Sequence, residues 1–286
     1  MRRDIDVGLL RAFVAVAETG RMTQAAKVIH VTQSAVSQRI LRLESLLGLK
    51  LFERRSDAAQ LTREGERFMS RARRLIALND EILSEMGSGD FAGEIRIGVP
   101  HDVVGSLLPP VLREFRQAHP NVLVTLVSDV SATLRKLLDD GKLDVALTTD
   151  RERAARKDCL FSDHLVWVGA ADGSAANRRP LSVALGREGC GFRASAVDAL
   201  NKAGIPWRAI CQVGSLEPVV ATLEADMAIA PFLSKTVPDR LSILKAAELP
   251  ALPQFFLNLR SAAQPMTAST DAFVRHVREE FASRHA

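Results

Sequence analysis

Polar and basic side chains share one face of a short segment near the N-terminus, and their types suit contact with the edges of DNA bases. The residues on this face are Thr32, Gln33, Ser34, Ser37, Gln38, Arg39 and Arg42. Gln pairs with adenine through two hydrogen bonds, Arg does the same with guanine, and a Ser hydroxyl reaches either a base or a phosphate. The segment therefore predicts sequence-dependent contacts with double-stranded DNA.

Two predicted helices hold these residues in place. Their apolar stripes are Ala25, Ala26 and Ile29, then Val36, Ile40, Leu43 and Leu47. Only His30 and Val31 separate the first helix from Thr32, whose hydroxyl is placed to cap a second helix beginning near Gln33. Helices joined so closely cross steeply, as in a helix-turn-helix whose second helix enters the major groove.

The charge of the chain is unevenly distributed. Of 286 residues, 47% are apolar and 25% charged, which is typical of a globular protein with several cores. Residues 1–79 carry 15 Lys and Arg against 8 Asp and Glu, a net of +7, and the remainder carries 23 against 26, a net of −3. A basic module of this kind predicts salt-dependent contacts with DNA phosphates. The alternative is that the polar face is the solvated side of an ordinary helical hairpin.

A set of positions around the two helices forms a recognisable motif: Ala25-Ala26, Ile29, VTQSAVS over 31–37, Ile40, Leu43-Glu44, Leu47-Gly48, Leu51-Phe52, Arg54, Leu61-Thr62 and Gly65. This motif resembles the N-terminal signature of the LysR-type transcriptional regulators. The resemblance implies a winged helix-turn-helix in which residues 50–61 form the wing, with Arg54 and Arg55 near the phosphate backbone. A looser similarity continues to the C-terminus, where Gly189-Cys190-Gly191-Phe192-Arg193 resembles the subgroup with a GCxFR motif in its distal effector lobe.

A long helix is expected to follow the wing, from about residue 62 to 86. Its seam, which is apolar except for Asn79, recurs at alternating intervals of four and three, which is typical of helices that pair with one another. The seam consists of Phe68, Ala72, Leu75, Asn79, Ile82 and Met86. We expect a homodimer through this helix, and the alternative is that the stripe packs on the wing domain of its own chain. The resemblance implies that this helix pairs antiparallel with the same helix of a second copy and that tetramers form. It leaves open whether the assembly contacts RNA polymerase.

The remainder of the chain predicts an α/β domain. Glycines at 87, 89 and 93 mark a hinge. Strands near 94–99, 122–127 and 144–148 alternate with helices near 107–118 and 132–140, which favours a parallel sheet with crossover helices. Further strands are expected at 164–170, 181–185 and 207–213, and a terminal helix at 270–282. The resemblance implies a two-lobed domain similar in fold to periplasmic solute-binding proteins.

The fold class is therefore α/β overall, with an N-terminal all-α winged helix-turn-helix and a linker helix before the two-lobed domain. We expect the DNA-binding domain at 1–61, the linker and hinge at 62–88, and the effector-binding domain at 89–286. Within the last domain, lobe I is expected at about 93–168 and 263–286, and lobe II at about 169–262.

Loops at the carboxyl ends of the strands, and between the lobes, are the expected small-molecule site. The candidate residues are Pro100, His101, Asp102, Ser131, Thr148, Arg193 and Ser215. Ser131 and Ser215 stand at predicted helix starts, which favour an anionic ligand, and Arg193 adds a cation. Three acidic residues, Asp102, Asp129 and Asp150, favour a cationic or amine-bearing ligand instead. The sequence leaves the charge of the effector open.

Other functional classes find little support. There is no GxSxG elbow, glycine-rich phosphate loop or paired carboxylate, so no enzyme, cofactor or metal site is expected. Three scattered cysteines indicate reduced thiols, although Cys190 near Arg187 and Arg193 leaves a redox sensor open. No signal peptide or membrane span is expected, and the location is cytoplasmic. The alternative class is a solute-binding protein whose N-terminal helices serve only for oligomerisation.

Overall fold

A computed structural model describes residues 4–53, 59–87, 93–213, 215–245, 248–262 and 266–285. The N-terminal domain contains α1 (Val7–Thr19), α2 (Met22–Val28) and α3 (Gln33–Leu47), followed by the long α4 (Arg63–Gly87). The second domain contains β1 (Gly93–Val99), α5 (His101–Val104), α6 (Leu108–Ala118), β2 (Val122–Ser128), α7 (Ser131–Asp139), β3 (Val145–Asp150), β4 (Cys159–Ala170), β5 (Leu181–Gly186), α8 (Gly191–Lys202), β6 (Trp207–Val213), α9 (Leu216–Glu224), β7 (Ala230–Leu233), β8 (Leu241–Ile243), β9 (Gln254–Ser261) and α10 (Ala268–His285).

The N-terminal domain closes around one buried aromatic side chain. Phe13 of α1 is fully buried, with its ring 5.4 Å from that of Phe52 and 5.3 Å from that of Phe68 of α4. The turn between α2 and α3 passes through His30, whose φ of 53° is left-handed. The Thr32 hydroxyl accepts a hydrogen bond from the amide of Ala35 at 3.2 Å, so the predicted cap of the second helix is confirmed.

The wing is attached to α3 by a buried carboxylate. Glu44 Oε1 accepts from the amides of Leu51 (2.9 Å) and Phe52 (3.3 Å), and Lys50 Nζ donates to Oε2 at 2.5 Å. Phe52 then forms an antiparallel bridge with Leu61. Residues 54–58 of the predicted wing, with Arg54 and Arg55, lie outside the described residues.

Helix α4 has two apolar stripes, and only part of the predicted seam is free for a partner. Phe68 and Ala72 pack into the core of their own N-terminal domain beside Met69, so assigning them to the dimer seam is wrong. Asn79 is partly buried and donates to Asp80 Oδ1 at 3.1 Å. The exposed stripe consists of Leu75, Leu78, Ile82 and Leu83. The side chain of Met86 lies outside the described set.

The first lobe is a layered α/β structure. Strand β1 pairs in parallel with β2 and β3, as the sequence predicts. The sheet continues in the order β2-β1-β3-β9-β4-β7, with β9 antiparallel to both β3 and β4. Helices α6 and α10 cover this sheet, and the rings of Phe115 and Phe273 meet edge to face at 5.0 Å.

The second lobe begins within β4 and ends before β9. Residues 165–170 of β4 pair with β7 and β8, while β5 and β6 form a parallel pair. The predicted lobe boundary at residue 262 is therefore wrong, because Gln254–Ser261 already belongs to the sheet of the first lobe. Its antiparallel pairing with β3 is a long-range contact that local periodicity does not reveal. Among the described residues, no helix combines the length and apolar character needed to cross a membrane.

Candidate DNA-reading face and ligand cavity

Helix α3 presents the predicted polar face to solvent. Its apolar side chains Val36, Ile40 and Leu43 are buried, which turns the opposite side outward. Thr32, Gln33, Ser34, Gln38 and Arg42 are exposed, and Ser37 and Arg39 are partly exposed. Within the described part of the chain, Arg39 and Arg42 form no ion pair, so their guanidinium groups remain available to an external anion or base edge.

A cavity of about 90 Å³ lies between the two lobes of the second domain. Lobe I contributes the starts of α5 and α7, and lobe II contributes the starts of α8 and α9. The predicted residues Pro100, His101, Asp102, Ser131 and Ser215 all line this cavity. The structure thus brings together five candidate residues that are spread over more than a hundred positions of the chain.

Two predicted cavity residues lie elsewhere. Thr148 is fully buried and donates to Asp150 Oδ2, while its neighbour Thr149 faces the cavity, because successive side chains of a strand point to opposite faces. Arg193 is not among the lining residues and donates to the carbonyl of Gly186 at 3.2 Å. Placing Thr148 and Arg193 in the pocket is therefore wrong.

The cationic residue that lines the cavity, Arg187, is not among the residues predicted for this site. Arg187 pairs across the lobes with Asp129 and donates to Thr133 Oγ1 at 2.9 Å. Its position two residues after the predicted strand at 181–185 is the feature of the sequence that points to a place in the ligand site. The pair spans the cleft and neutralises one of the three acidic groups considered above.

The second acidic group is neutralised within lobe I. Asp150 pairs with Arg135, and its Oδ2 accepts from Arg260 at 3.0 Å and from Asn258 at 3.1 Å. Burial alone would raise the pKa of Asp150, but these hydrogen bonds and the cations hold it below its ordinary value. Asp150 therefore presents no unpaired charge to a ligand.

Asp102 and His101 differ from these paired groups. Burial raises the pKa of Asp102 to about 7, and its Oδ2 atom is buried without a hydrogen-bond partner in the described structure. The His101 Nδ1 atom lies 2.8 Å from Ser128 Oγ, and burial is the main cause that lowers its pKa. The two adjacent side chains thus have separate surroundings, which gives no support to a coupled acid and base.

Cys190 precedes α8 at the edge of the cavity, and its environment is opposite to the predicted one. Burial raises the pKa of its thiol, and the lowering influences of the Phe192 and Arg193 amides do not overcome it. The guanidinium of Arg187 is engaged by Asp129. The charge of Arg193 does lower this pKa, but burial outweighs it. The prediction of a lowered pKa is therefore wrong, and the thiolate that reacts with oxidants is disfavoured.

We expect Cys190→Ser to leave the response of the protein to peroxide unchanged. The raised pKa keeps the thiol protonated near neutral pH, so oxidation at this position is slow. Operator binding should be measured before and after peroxide treatment, with Cys159→Ser as a matched variant. A peroxide response that is present in the wild type and lost only in Cys190→Ser would contradict this expectation.

Apolar side chains, including Phe192 and Phe232, complete the walls of the cavity. Trp207 lies elsewhere and donates to Asn201 Oδ1 at 2.9 Å. All three cysteines are free. Among the described residues, no cluster of three or more His, Cys, Asp or Glu is arranged to hold a metal ion.

Comparisons with known proteins cover both domains. A family model described as bacterial regulatory helix-turn-helix protein, lysR family, matches residues 7–66, and one described as LysR substrate binding domain matches residues 88–282. The chain is 32% identical to the HTH-type transcriptional regulator DgdR of Burkholderia cepacia over 277 residues, which span 96% of this chain and 94% of that protein.

Solved structures are similar over the whole length. ArgP from Mycobacterium tuberculosis superposes with a TM-score of 0.71 at 22% identity, covering 97% of this chain and 98% of that one. Full-length CbnR complexed with target DNA gives a TM-score of 0.58 at 21% identity, covering 96% and 100%. At these identities the likeness concerns the fold.

Proposed function

Because this chain belongs to the LysR family of DNA-binding transcriptional regulators, we propose that α3 reads its operator and that the cavity between the lobes binds the controlling small molecule. The observation that supports α3 as the reading helix is its solvent-facing side, where Gln33, Gln38 and Arg42 are exposed beside an intact helix cap. Gln33 lies in the first turn of α3, the part of a recognition helix that meets base edges. The proposal assigns no reaction to the protein and places it in the cytoplasm with the DNA.

The proposed assembly is a homodimer, and by pairing of dimers a homotetramer. The exposed stripe of α4, with Leu75, Leu78 and Ile82, supplies the apolar surface that a second copy covers. Since a two-fold dimer presents two equivalent reading helices, the proposed operator is an interrupted inverted repeat. CbnR, whose fold is shared, has been solved with its target DNA. Contact of the bound assembly with RNA polymerase is part of the proposal.

The cavity supplies the proposed control. A ligand shifts a protein between arrangements only through its different affinity for each of them. Arg187 of lobe II pairs with Asp129 of lobe I beside the cavity, so a ligand that changes the distance between the lobes must alter this pair. Lobe closure is thus the proposed link between ligand binding and the placement of the two reading helices.

Genome-wide immunoprecipitation of the native protein, followed by footprinting of its best site at two salt concentrations, tests this function. We expect protection of an interrupted inverted repeat, with affinity falling steeply as salt rises because phosphate contacts release counterions. Recovery of DNA without sequence preference would contradict the proposal.

The recognition helix itself is tested by Gln33→Ala and Arg39→Ala. Each is expected to weaken operator binding about 10- to 100-fold, because one base contact contributes roughly 1–3 kcal/mol. Loss of a base contact relaxes the sequence preference at one operator position, whereas loss of a phosphate contact lowers the salt dependence of binding. The matched control is Arg116→Ala on α6, which removes an exposed cation outside the DNA-binding domain. Unchanged binding by both α3 variants would overturn the reading-helix assignment.

A further inference from the structure

One carboxyl group at the cavity lacks a partner. Asp102 lines the cavity, and its Oδ2 atom is buried with no hydrogen-bond partner among the described residues. A buried carboxyl group without a partner costs free energy that a hydrogen-bond donor or a cation would recover. Asp129 and Asp150, in contrast, are already paired with arginines. Asp102 is therefore the acid that selects for a donor on the ligand.

Helix starts at the cavity select for an anion. The helices α7, α8 and α9 begin there, and Val130 and Ser215, which precede α7 and α9, provide no side-chain cap. At the start of α8 the Phe192 and Arg193 amides already bond the Cys190 sulfur. The first amides of α7 and α9 are therefore the ones that favour an anion, and the helix dipole adds positive potential there. Glu217 in the first turn of α9 offsets part of this field. The stronger anion site is therefore the start of α7, where the neighbouring carboxylate of Asp129 is paired with Arg187.

The rest of the wall limits the size and polarity of the ligand. Phe192, Leu216, Val219 and Phe232 face the cavity with apolar side chains. The volume of about 90 Å³ corresponds to several water molecules, since one water needs about 10–15 Å³ by this kind of measure. A small molecule with an apolar portion therefore fits this cavity.

We propose that the effector is a small α-amino acid with an apolar side chain, whose ammonium group donates to Asp102 and whose carboxylate accepts from the start of α7. This inference rests on the proposed role of the cavity as the effector site. A simple carboxylate would leave the ionised form of Asp102 unpaired, and a simple amine would leave the N–H groups of α7 unpaired. The zwitterion satisfies both, and it reconciles the anionic and cationic preferences that the sequence leaves open.

Isothermal titration of the full-length protein tests this inference with three amino acids, L-alanine, L-valine and L-leucine. Each amino acid is matched with the carboxylate that lacks its amino group and with the amine that lacks its carboxylate, which for valine are 3-methylbutanoate and 2-methylpropylamine. We expect at least one amino acid to bind about tenfold or more tightly than both of its analogues, because each removes a charge-assisted hydrogen bond. Binding of the carboxylate analogue as tight as that of its amino acid, or binding by none of the three amino acids, overturns the inference.

The variant Asp102→Asn locates the ammonium contact. Its affinity for the amino acid should fall about tenfold or more, while its affinity for 3-methylbutanoate stays unchanged. The exposed Asp172→Asn is the matched control, with both affinities unaltered. Circular dichroism checks that each variant is folded, and the analogue series on the wild type decides the question if Asp102→Asn is not. Equal loss for both ligands in a folded Asp102→Asn overturns the assignment of this contact.

Operator footprinting separates this inference from the proposed function. If the wild-type protein protects an operator but binds none of the three amino acids, the effector class is wrong and the regulator function stands. If an amino acid binds as expected but no operator is protected, the effector class stands and the reading of DNA by α3 fails.

Discussion

Replacing both Leu78 and Ile82 by glutamate is expected to convert the homodimer into a monomer and to weaken operator binding at least about a hundredfold. These side chains are 47% and 53% exposed on the free face of α4, although both are large and apolar. Covering the exposed half of such a side chain contributes roughly 1 kcal/mol. Each position occurs twice in a two-fold dimer, so the double variant loses roughly 4 kcal/mol of dimerisation free energy. The dimer dissociation constant then rises about a thousandfold.

Operator binding falls because linkage of the two reading helices is lost. A tethered second contact increases overall affinity by about 10²–10⁴-fold without any new contact. Sedimentation velocity measures the mass of the assembly, and a gel shift measures operator affinity. Met227→Glu is the matched control, since Met227 is 55% exposed in the distal lobe. A double variant that retains the dimer mass would show that another surface joins the copies.

Replacing Glu44 by alanine is expected to destabilise the DNA-binding domain by about 2–5 kcal/mol. The buried amides of Leu51 and Phe52 both donate to this carboxylate, and alanine leaves them without an acceptor. The ion pair with Lys50 adds less, because the Lys50 side chain is 58% exposed and becomes solvated. Operator binding should fall as well, since the wing is no longer anchored to the reading helix.

The two tryptophans make this measurement specific. Trp167 and Trp207 both lie in the second domain, so their fluorescence reports on that domain during urea unfolding. Far-UV circular dichroism also detects the helical N-terminal domain. For Glu44→Ala we expect the circular dichroism transition to move to lower urea while the fluorescence transition stays in place. The control is Glu279→Ala, an exposed glutamate of α10, and equal behaviour of the two variants would contradict the anchoring role of Glu44.

The contribution of the Glu44 charge to stability should diminish at acidic pH. Burial raises the pKa of Glu44, but the hydrogen bonds from Lys50, Leu51 and Phe52 outweigh it, so its pKa lies below the ordinary value. A group with a lowered folded-state pKa stabilises the fold above its unfolded-state pKa of about 4.3. This contribution is lost as the pH falls through the lower folded-state pKa. The stability difference between the wild type and Glu44→Gln should therefore disappear at acidic pH.

Local features were predictable from the sequence where neighbouring residues decide the structure. The start of α3 follows from Thr32, which caps it, and its buried face follows from the spacing of Val36 and Ile40. The long helix was predicted within one residue of Arg63–Gly87. The seam along it was assigned only in part, because a heptad pattern does not state which surface covers it. Phe68 and Ala72 are covered by their own domain, and Leu75 and Ile82 are not.

The face of β3 that borders the cleft is a second feature that could not be predicted from the sequence. Alternation along β3 indicates that Thr148 and Thr149 point to opposite faces, but the sequence does not say which face borders the cleft. That depends on the antiparallel pairing of Thr148 with Asn258 and Thr149 with Leu257. The return of the chain to the first lobe at Gln254 depends on the same pairing.

The sequence by itself determined the helix-turn-helix, the basic character of the N-terminal part and the loops that border the cavity. Periodicity, capping and composition are properties of nearby residues. The tertiary structure decided which acid faces a ligand unpaired. Asp129 meets Arg187 across 58 residues, and Asp150 meets Arg260 across 110. Charge neutralisation acts through space between residues far apart in the chain, so it is absent from local patterns, and only the folded arrangement leaves Asp102 alone.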